Sequence, residues 1–299
     1  MILVAGGTGT LGTILVRALR DHDLQVRVLT RDRERAGHLG ADLEIAEGDV
    51  GQPAAVRGAV RGAQTVVSAV HGFAGTDGAG PATVDRDGNR NLIQAAQAAG
   101  VRQFVLVSVK DAAPDHPMEL MRMKFASEQQ LRETGLEWTI IRPAAYLETW
   151  CEVLGRPLVE KGKTMIFGRG QNPINWVSAR DVAEFVRLAV TEPAMRGQVV
   201  DVGGPENLTM RQFVDVFRDR TGRGGRVGRI PRPVMRASSV AMKLANPTVA
   251  RQIQAGLVMD TTAMAFDADL VRRAYPSIPY TSLADVVRHS GFAAPARSG

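Results

Sequence analysis

Along the first 145 residues, short apolar runs alternate with longer stretches in which apolar residues recur every three or four positions. The runs are Met1-Ile2-Leu3-Val4-Ala5, Leu24 to Thr30 (LQVRVLT), Leu43 to Glu47, Thr65 to Val70 (TVVSAV), Gln103 to Val109 (QFVLVSV) and Glu137 to Arg142 (EWTIIR). Runs of five to seven residues with this character predict strands, the first of them of the buried type. Between them, Leu11 to Arg20, Asp87 to Ala99 and Met121 to Leu131 read as helices; in the second, Leu92, Ala95, Ala96 and Ala99 share one face. Strands joined by crossover helices predict an α/β fold with a doubly wound parallel sheet.

The turn between the first strand and the first helix is Gly6-Gly7-Thr8-Gly9-Thr10-Leu11-Gly12. Glycines at 6, 9 and 12 permit a tight turn, a close backbone approach to a pyrophosphate, and packing of the helix on the strand. The helix N-terminus then presents unpaired N–H groups to the phosphates. In such sheets ligands sit beyond the carboxyl ends of the strands, where Gly6, Arg31, Asp49, Val70 and Ser108 all fall. A nicotinamide dinucleotide is therefore the expected cofactor. Thr30-Arg31-Asp32-Arg33 ends the second strand, and Arg31 lies 19 residues beyond Gly12. An arginine there pairs with a 2′-phosphate, which favours NADP(H) over NAD(H); Arg33 and Arg35 add charge. The alternative has Asp32 capping a short helix and the arginines solvated.

After Arg142-Pro143 strict alternation gives way to a small C-terminal lobe. The expected organisation is a nucleotide-binding core over 1–145 and a substrate-covering lobe over 146–299, with about 174–204 returning to the sheet. Trp150, Met165, Phe167 and Trp176 are candidates for an apolar pocket, which Met235, Met242, Met259 and Met264 could close, although most of these residues suit a core equally well. Asp181 is expected to cap a helix over Val182 to Val190, whose apolar face suits either the sheet or a neighbouring copy. Thr209 is expected to open a helix over Met210 to Arg220, and Pro295 to Gly299 to fray.

Composition narrows the function classes. The 299 residues are 44% hydrophobic, enough for a large core, and no apolar run approaches the roughly 20 residues that span a bilayer. The N-terminal strand has no basic leader or cleavage site, so cytoplasmic residence without membrane association is expected. The single Cys151 excludes an internal disulfide, and His22, His38, His71, His116 and His289 are too scattered to suggest a metal site. The net charge of +6 draws on Arg218, Arg220, Arg223, Arg226, Arg229, Arg232 and Arg236. Interleaved glycines and the lack of aromatics make this run read as a solvated loop rather than a nucleic-acid patch, although it could steer an acidic substrate. The expected partner is a small-molecule substrate, and the chain suits a monomer or a homodimer.

GGTGTLG, the Gly48-Asp49-Val50 after the third strand, DGNRNLIQAAQAAGV followed by QFVLVSV, WTIIRPAAYLE, PINWVSARDVAEFVRLAV and VVDVGGPENLTMRQFVDVF together resemble the NmrA-like, atypical branch of the short-chain dehydrogenase/reductase superfamily. The resemblance implies pyrophosphate on Gly6, Thr8, Gly9, Thr10, Leu11 and Gly12. It also implies adenine beside Asp49 and Val50, ribose and pyrophosphate beside Ser68, Ala69 and Val70, and nicotinamide beside Pro143 and Ala144. Standard members of the superfamily place a tyrosine four residues before a lysine. Lys124 matches the lysine, but Leu120 stands at the tyrosine position and cannot transfer a proton; Ser108 matches the superfamily serine approximately, or merely finishes its strand.

Three readings of Lys124 stand: it holds the nicotinamide ribose, it is also a general acid or base, or it is an exposed helix lysine paired with Glu128. Tyr146 and His71 are the other proton-donor candidates, and both are also candidate substrate contacts, as are Trp150 and Trp176. The resemblance thus implies an NADPH-dependent reductase acting on a conjugated carbonyl, quinone or imine-like acceptor. The alternative is a non-catalytic NADP(H)-binding redox sensor or regulatory protein.

Overall fold

The computed structural model describes residues 1–75 and 78–292; the expected frayed end, Pro295 to Gly299, lies outside them. In chain order the strands are β1 (Ile2–Ala5), β2 (Val26–Thr30), β3 (Glu44–Glu47), β4 (Thr65–Ser68), β5 (Gln103–Val107) and β6 (Glu137–Pro143). They continue with β7 (Ala145–Tyr146), β8 (Lys163–Phe167), β9 (Ile174–Val177), β10 (Val199–Val202), β11 (Glu206–Leu208) and β12 (Arg226–Ile230). The chain divides into two units, Met1–Pro143 with Val182–Val202, and Ala144–Asp181 with Gly203–Gly299.

The first unit is built on a parallel sheet of order β10-β6-β5-β4-β1-β2-β3. Its central strands β1, β4 and β5 are buried throughout, as helices on both faces require. Leu3, Val66, Leu92, Phe104 and Ile140 lie in one continuous core. β1 continues to β2 on one side and to β4 on the other, so the strand order reverses there and leaves a crevice at the carboxyl ends. The helix Ala179–Thr191 buries Val182, Ala183, Phe185, Val186 and Ala189 completely, so the apolar face expected to choose between sheet and neighbour is interior.

Several expected boundaries shift. The β4 and β5 runs end two residues early, at Ser68 and Val107, although the Ala69 N–H still bonds Ala5 O at 2.8 Å and the Ser108 N–H bonds Ile141 O at 2.7 Å. The helix read as Asp87 to Ala99 covers Asn89–Ala98, and a wide π-helical turn over Pro81–Gly88 precedes it. That turn packs against the helix Glu119–Arg132 and carries Asp85 inward.

In the second unit β9 lies between β7 and β11, and β8 pairs in parallel with β12. Thr209 caps the helix Met210–Thr221, with Gln212 closing the reciprocal bond. Asp181 does not cap its helix. Glu148 accepts the Ala179 N–H at 2.8 Å and Ser178 Oγ accepts that of Arg180, while the Asp181 carboxylate accepts from Arg272 Nη2 (3.0 Å) and from the Thr281 N–H and hydroxyl. The arginine run is not a loop either. Arg226 and Arg229 lie on β12, Arg232 opens the helix Arg232–Ala245, and the Arg232 guanidinium holds the buried Asp260 at 2.5 Å. Pairing with β8 and the Asp260 anchor order a stretch whose glycines read as irregular.

Candidate cofactor and active site

The glycine turn lies where the strand order reverses. Gly6 adopts φ +85°, and a Cβ there would sit 2.5 Å from Ala69 O, so β4 passes directly against the turn. A Cβ on Gly12 would sit 2.1 Å from Gly6 O and 2.6 Å from Gly7 Cα, so only glycine lets the helix Thr10–Arg20 begin this close to β1. Gly9 differs: a Cβ there would meet only Gly6 O, at 3.5 Å, so its surroundings are open. The first helical bond runs from Thr13 N–H to Gly9 O at 2.9 Å, which leaves the N–H groups of Thr10, Leu11 and Gly12 ahead of the ladder, and the first turn has no acidic residue. An exposed, donor-rich turn of this kind fits a pyrophosphate.

At the ends of β2 and β3, Arg31 Nε lies 3.9 Å from Asp49 Oδ2 and Arg33 Nε 3.9 Å from Glu47. The loose, exposed pair leaves the Arg31 guanidinium able to take an anion, whereas Arg33 Nη2 also donates to Ile45 O at 3.3 Å. Asp32 is committed locally, accepting the Glu34 N–H at 2.9 Å. Val50 O accepts from Asn91 at 2.8 Å, which ties the β3 end to the helix Asn89–Ala98. Ser68 is wholly buried, its hydroxyl donating to Asn89 Oδ1 at 2.5 Å, and the Val70 side chain is buried too. Neither side chain is therefore available to a ligand.

Lys124 is 2% exposed, which excludes the reading of a solvated lysine paired with Glu128. Its ammonium group donates to Val70 O (2.8 Å) and Val107 O (3.0 Å), joining the ends of β4 and β5. It also lies 3.0 Å from Asp85 Oδ1, on a wholly buried carboxylate. That last contact is charge attraction without hydrogen-bond alignment, since Asp85 Oδ1 has no hydrogen-bond partner. Asp85 Oδ2 accepts the Gly72 N–H at 2.8 Å, and Asp85 O accepts from both Asn89 and Ser127. Asp85 was not foreseen from the sequence; it stands 39 residues from Lys124, on the unforeseen π-helical turn.

Glu128 instead binds Arg142, through Nε at 2.8 Å and Nη2 at 2.5 Å, and accepts the Ser108 hydroxyl at 2.5 Å. Ser108 therefore bonds a buried carboxylate rather than local backbone. Pro143 closes β6, its carbonyl accepting the Lys110 N–H at 2.8 Å.

His71 follows β4. Its Nδ1 accepts the Phe73 N–H at 3.3 Å, so the neutral ring carries its proton on Nε2. The residue keeps solvent-accessible surface, yet crowding around the ring holds its pKa below the ordinary histidine value; Asp85 opposes that lowering and Lys124 adds to it. In the second unit Tyr146 is half-buried and its hydroxyl makes no hydrogen bond among the described residues. Burial, with Glu148 adding, raises its pKa well above the ordinary tyrosine value.

Trp176 corrects an expectation. At 1% exposure, with its indole N–H donating to Leu208 O, it is core and offers no face to a substrate. Half-buried Trp150 packs edge-on against Trp176 and Phe167. Met235 and Met259 are likewise buried, whereas Met165 is exposed. Among the described residues no cluster of His, Cys, Asp or Glu is arranged to hold a metal ion.

A parallel sheet with a glycine turn at its reversal point defines a nucleotide-binding α/β protein. Residues 6–193 match the model of the NAD(P)H-binding family, and the chain belongs to that family, in keeping with its NmrA-like resemblance. It is 32% identical to an NAD(P)H azoreductase of Xenophilus azovorans over 75% of this chain and 74% of that protein. It is 30% identical to the photosystem II assembly factor Ycf39 of a Synechocystis species, over 79% and 72%. A similar fold is found in an NADPH-dependent quinone oxidoreductase of Escherichia coli complexed with NADPH, with TM-score 0.78 and 21% identity over 97% of this chain and 99% of that one.

Proposed function

We propose that the chain is an NADPH-dependent oxidoreductase that reduces a small or medium conjugated acceptor, such as a quinone, an azo compound, an enone or an imine. The observation that carries this reading is the open glycine turn with Arg31 loosely held beside it. The azoreductase relative supports the reaction class. Arg31 binds the 2′-phosphate, Asp49 and Val50 flank the adenine, and Ser68, Ala69 and Val70 border the ribose and pyrophosphate. Pro143 and Ala144 border the nicotinamide, which when reduced supplies the hydride.

Lys124 acts here as a positioning residue, because two of its N–H groups are spent on Val70 O and Val107 O and the ammonium is held against Asp85. By fixing the β4 end it fixes His71. The protonated His71 imidazolium, returning to the neutral ring as it gives up its proton, is then the proton donor, with the Tyr146 hydroxyl as the other candidate. Arg31→Ala is expected to weaken NADPH binding about tenfold to a hundredfold, the worth of a charge-assisted contact, while leaving NADH binding unchanged; calorimetric titration of both cofactors reads it.

The second reading, a non-catalytic NADP(H) sensor, is favoured by the assembly-factor relatives and by the engagement of Lys124. Oxidation of NADPH and of NADH by the purified protein, followed against a panel of quinones, azo dyes, enones, aldehydes and cyclic imines, separates the two. Turnover with NADPH supports the reductase. Tight binding without turnover on any acceptor supports the sensor.

A further inference from the structure

From Arg220 to Met259 the chain carries eight arginines and lysines and no Asp or Glu, so this stretch holds more than the whole net charge of +6 and leaves the remainder at −2. Within it the helix Arg232–Ala245 packs against Pro247–Thr261, with Met235 buried and Met242 half-buried on the inner side. Its outward side is apolar. Pro233, Ala237, Val240, Ala241 and Leu244 recur at helical spacing and are all exposed, Val240 at 66% and Leu244 at 98%. A solvent-facing helix side ordinarily carries polar residues. Arg236 and Lys243, seven residues apart and both exposed, flank this stripe along one edge.

We propose that this face docks on an anionic lipid surface, with Val240 and Leu244 entering the boundary between headgroups and acyl chains and Arg236 and Lys243 binding headgroup phosphates. An apolar stripe edged by cations is the pattern of a helix lying in a membrane interface. A second copy fits poorly, since two-fold pairing of the face would bring four cations together. Nucleic acid fits poorly too, because the stretch has no aromatic residue to stack on bases and Leu244 would gain nothing from phosphate. The expected lack of membrane association rests on the absence of a spanning run and of a basic leader. No helix among the described residues is long and apolar enough to cross a membrane, and a peripheral contact needs none.

The test is sedimentation of the full chain with vesicles of phosphatidylcholine alone and of phosphatidylcholine containing a quarter phosphatidylglycerol. Binding is expected to the anionic vesicles and not to the neutral ones. Val240→Asp with Leu244→Asp is expected to abolish it, and Arg236→Gln with Lys243→Gln to weaken it about thirtyfold, at the usual worth of a basic residue near an anionic surface. Both double variants alter exposed side chains and are expected to keep the parent's thermal midpoint and NADPH affinity. Failure to bind anionic vesicles overturns the proposal, as does binding that survives Val240→Asp with Leu244→Asp. A light-scattering mass that falls from dimer to monomer in that variant also overturns it, in favour of a second copy.

Discussion

Asp85→Ala is expected to destabilise the first unit by about 3–5 kcal/mol, because it leaves the buried Lys124 ammonium without its countercharge. It also removes the acceptor of the Gly72 N–H. The thermal midpoint should fall by roughly 10 °C. Lys124→Met strands the carboxylate instead and should cost a similar amount, whereas the double variant Asp85→Ala with Lys124→Met should recover much of the loss, since neither charge is then left alone. Additive losses in that cycle would show that the two side chains act independently. His71 provides a second readout. The Asp85 carboxylate raises its pKa against the larger lowering by burial, so removing Asp85 should push the His71 pKa further down, as followed by NMR titration of the ring.

Gly12→Ala is expected to weaken NADPH binding about a hundredfold or more. The new Cβ would press on Gly6 O and Gly7 Cα, backbone atoms that cannot swing aside, so the helix Thr10–Arg20 must shift off the turn that aims its N–H groups. Gly9→Ala supplies the contrast. Its Cβ meets nothing closer than 3.5 Å in the protein and its φ of −82° suits alanine, so stability should change by no more than about 0.5 kcal/mol. Binding should nonetheless fall about tenfold, because the methyl group occupies the space a pyrophosphate needs. If Gly9→Ala binds NADPH as the parent does, the pyrophosphate does not lie on this turn.

Much of the first unit was legible because its signals are local. Runs such as TVVSAV and QFVLVSV are mostly apolar, and GGTGTLG sits between a strand and a helix, so the parallel sheet and the glycine turn follow from neighbouring residues. The interior around Lys124 was not legible in the same way. Lys124 was singled out, yet its partner Asp85 comes from a π-helical turn that has no sequence signature, and the exposed-lysine alternative assumed that Glu128, one helical turn away, would pair with it. Glu128 is taken by Arg142 from β6, a contact that only the packed sheet creates.

The second unit failed differently. Trp176 and Trp150 look the same as core or as pocket in a sequence, and the choice rests on where β9 lies between β7 and β11. The arginine run reads as loop because its glycines outweigh a strand only five residues long that has a single partner.

The proposed function requires that the glycine turn hold NADPH for hydride transfer. The measurement that tests it most directly is the steady-state oxidation of NADPH by the parent and by Gly12→Ala, with quinone and azo acceptors at saturating concentration. Turnover is expected from the parent and almost none from Gly12→Ala at the same cofactor concentration. Binding of NADPH by the parent without oxidation on any acceptor, or undiminished turnover by Gly12→Ala, would contradict it.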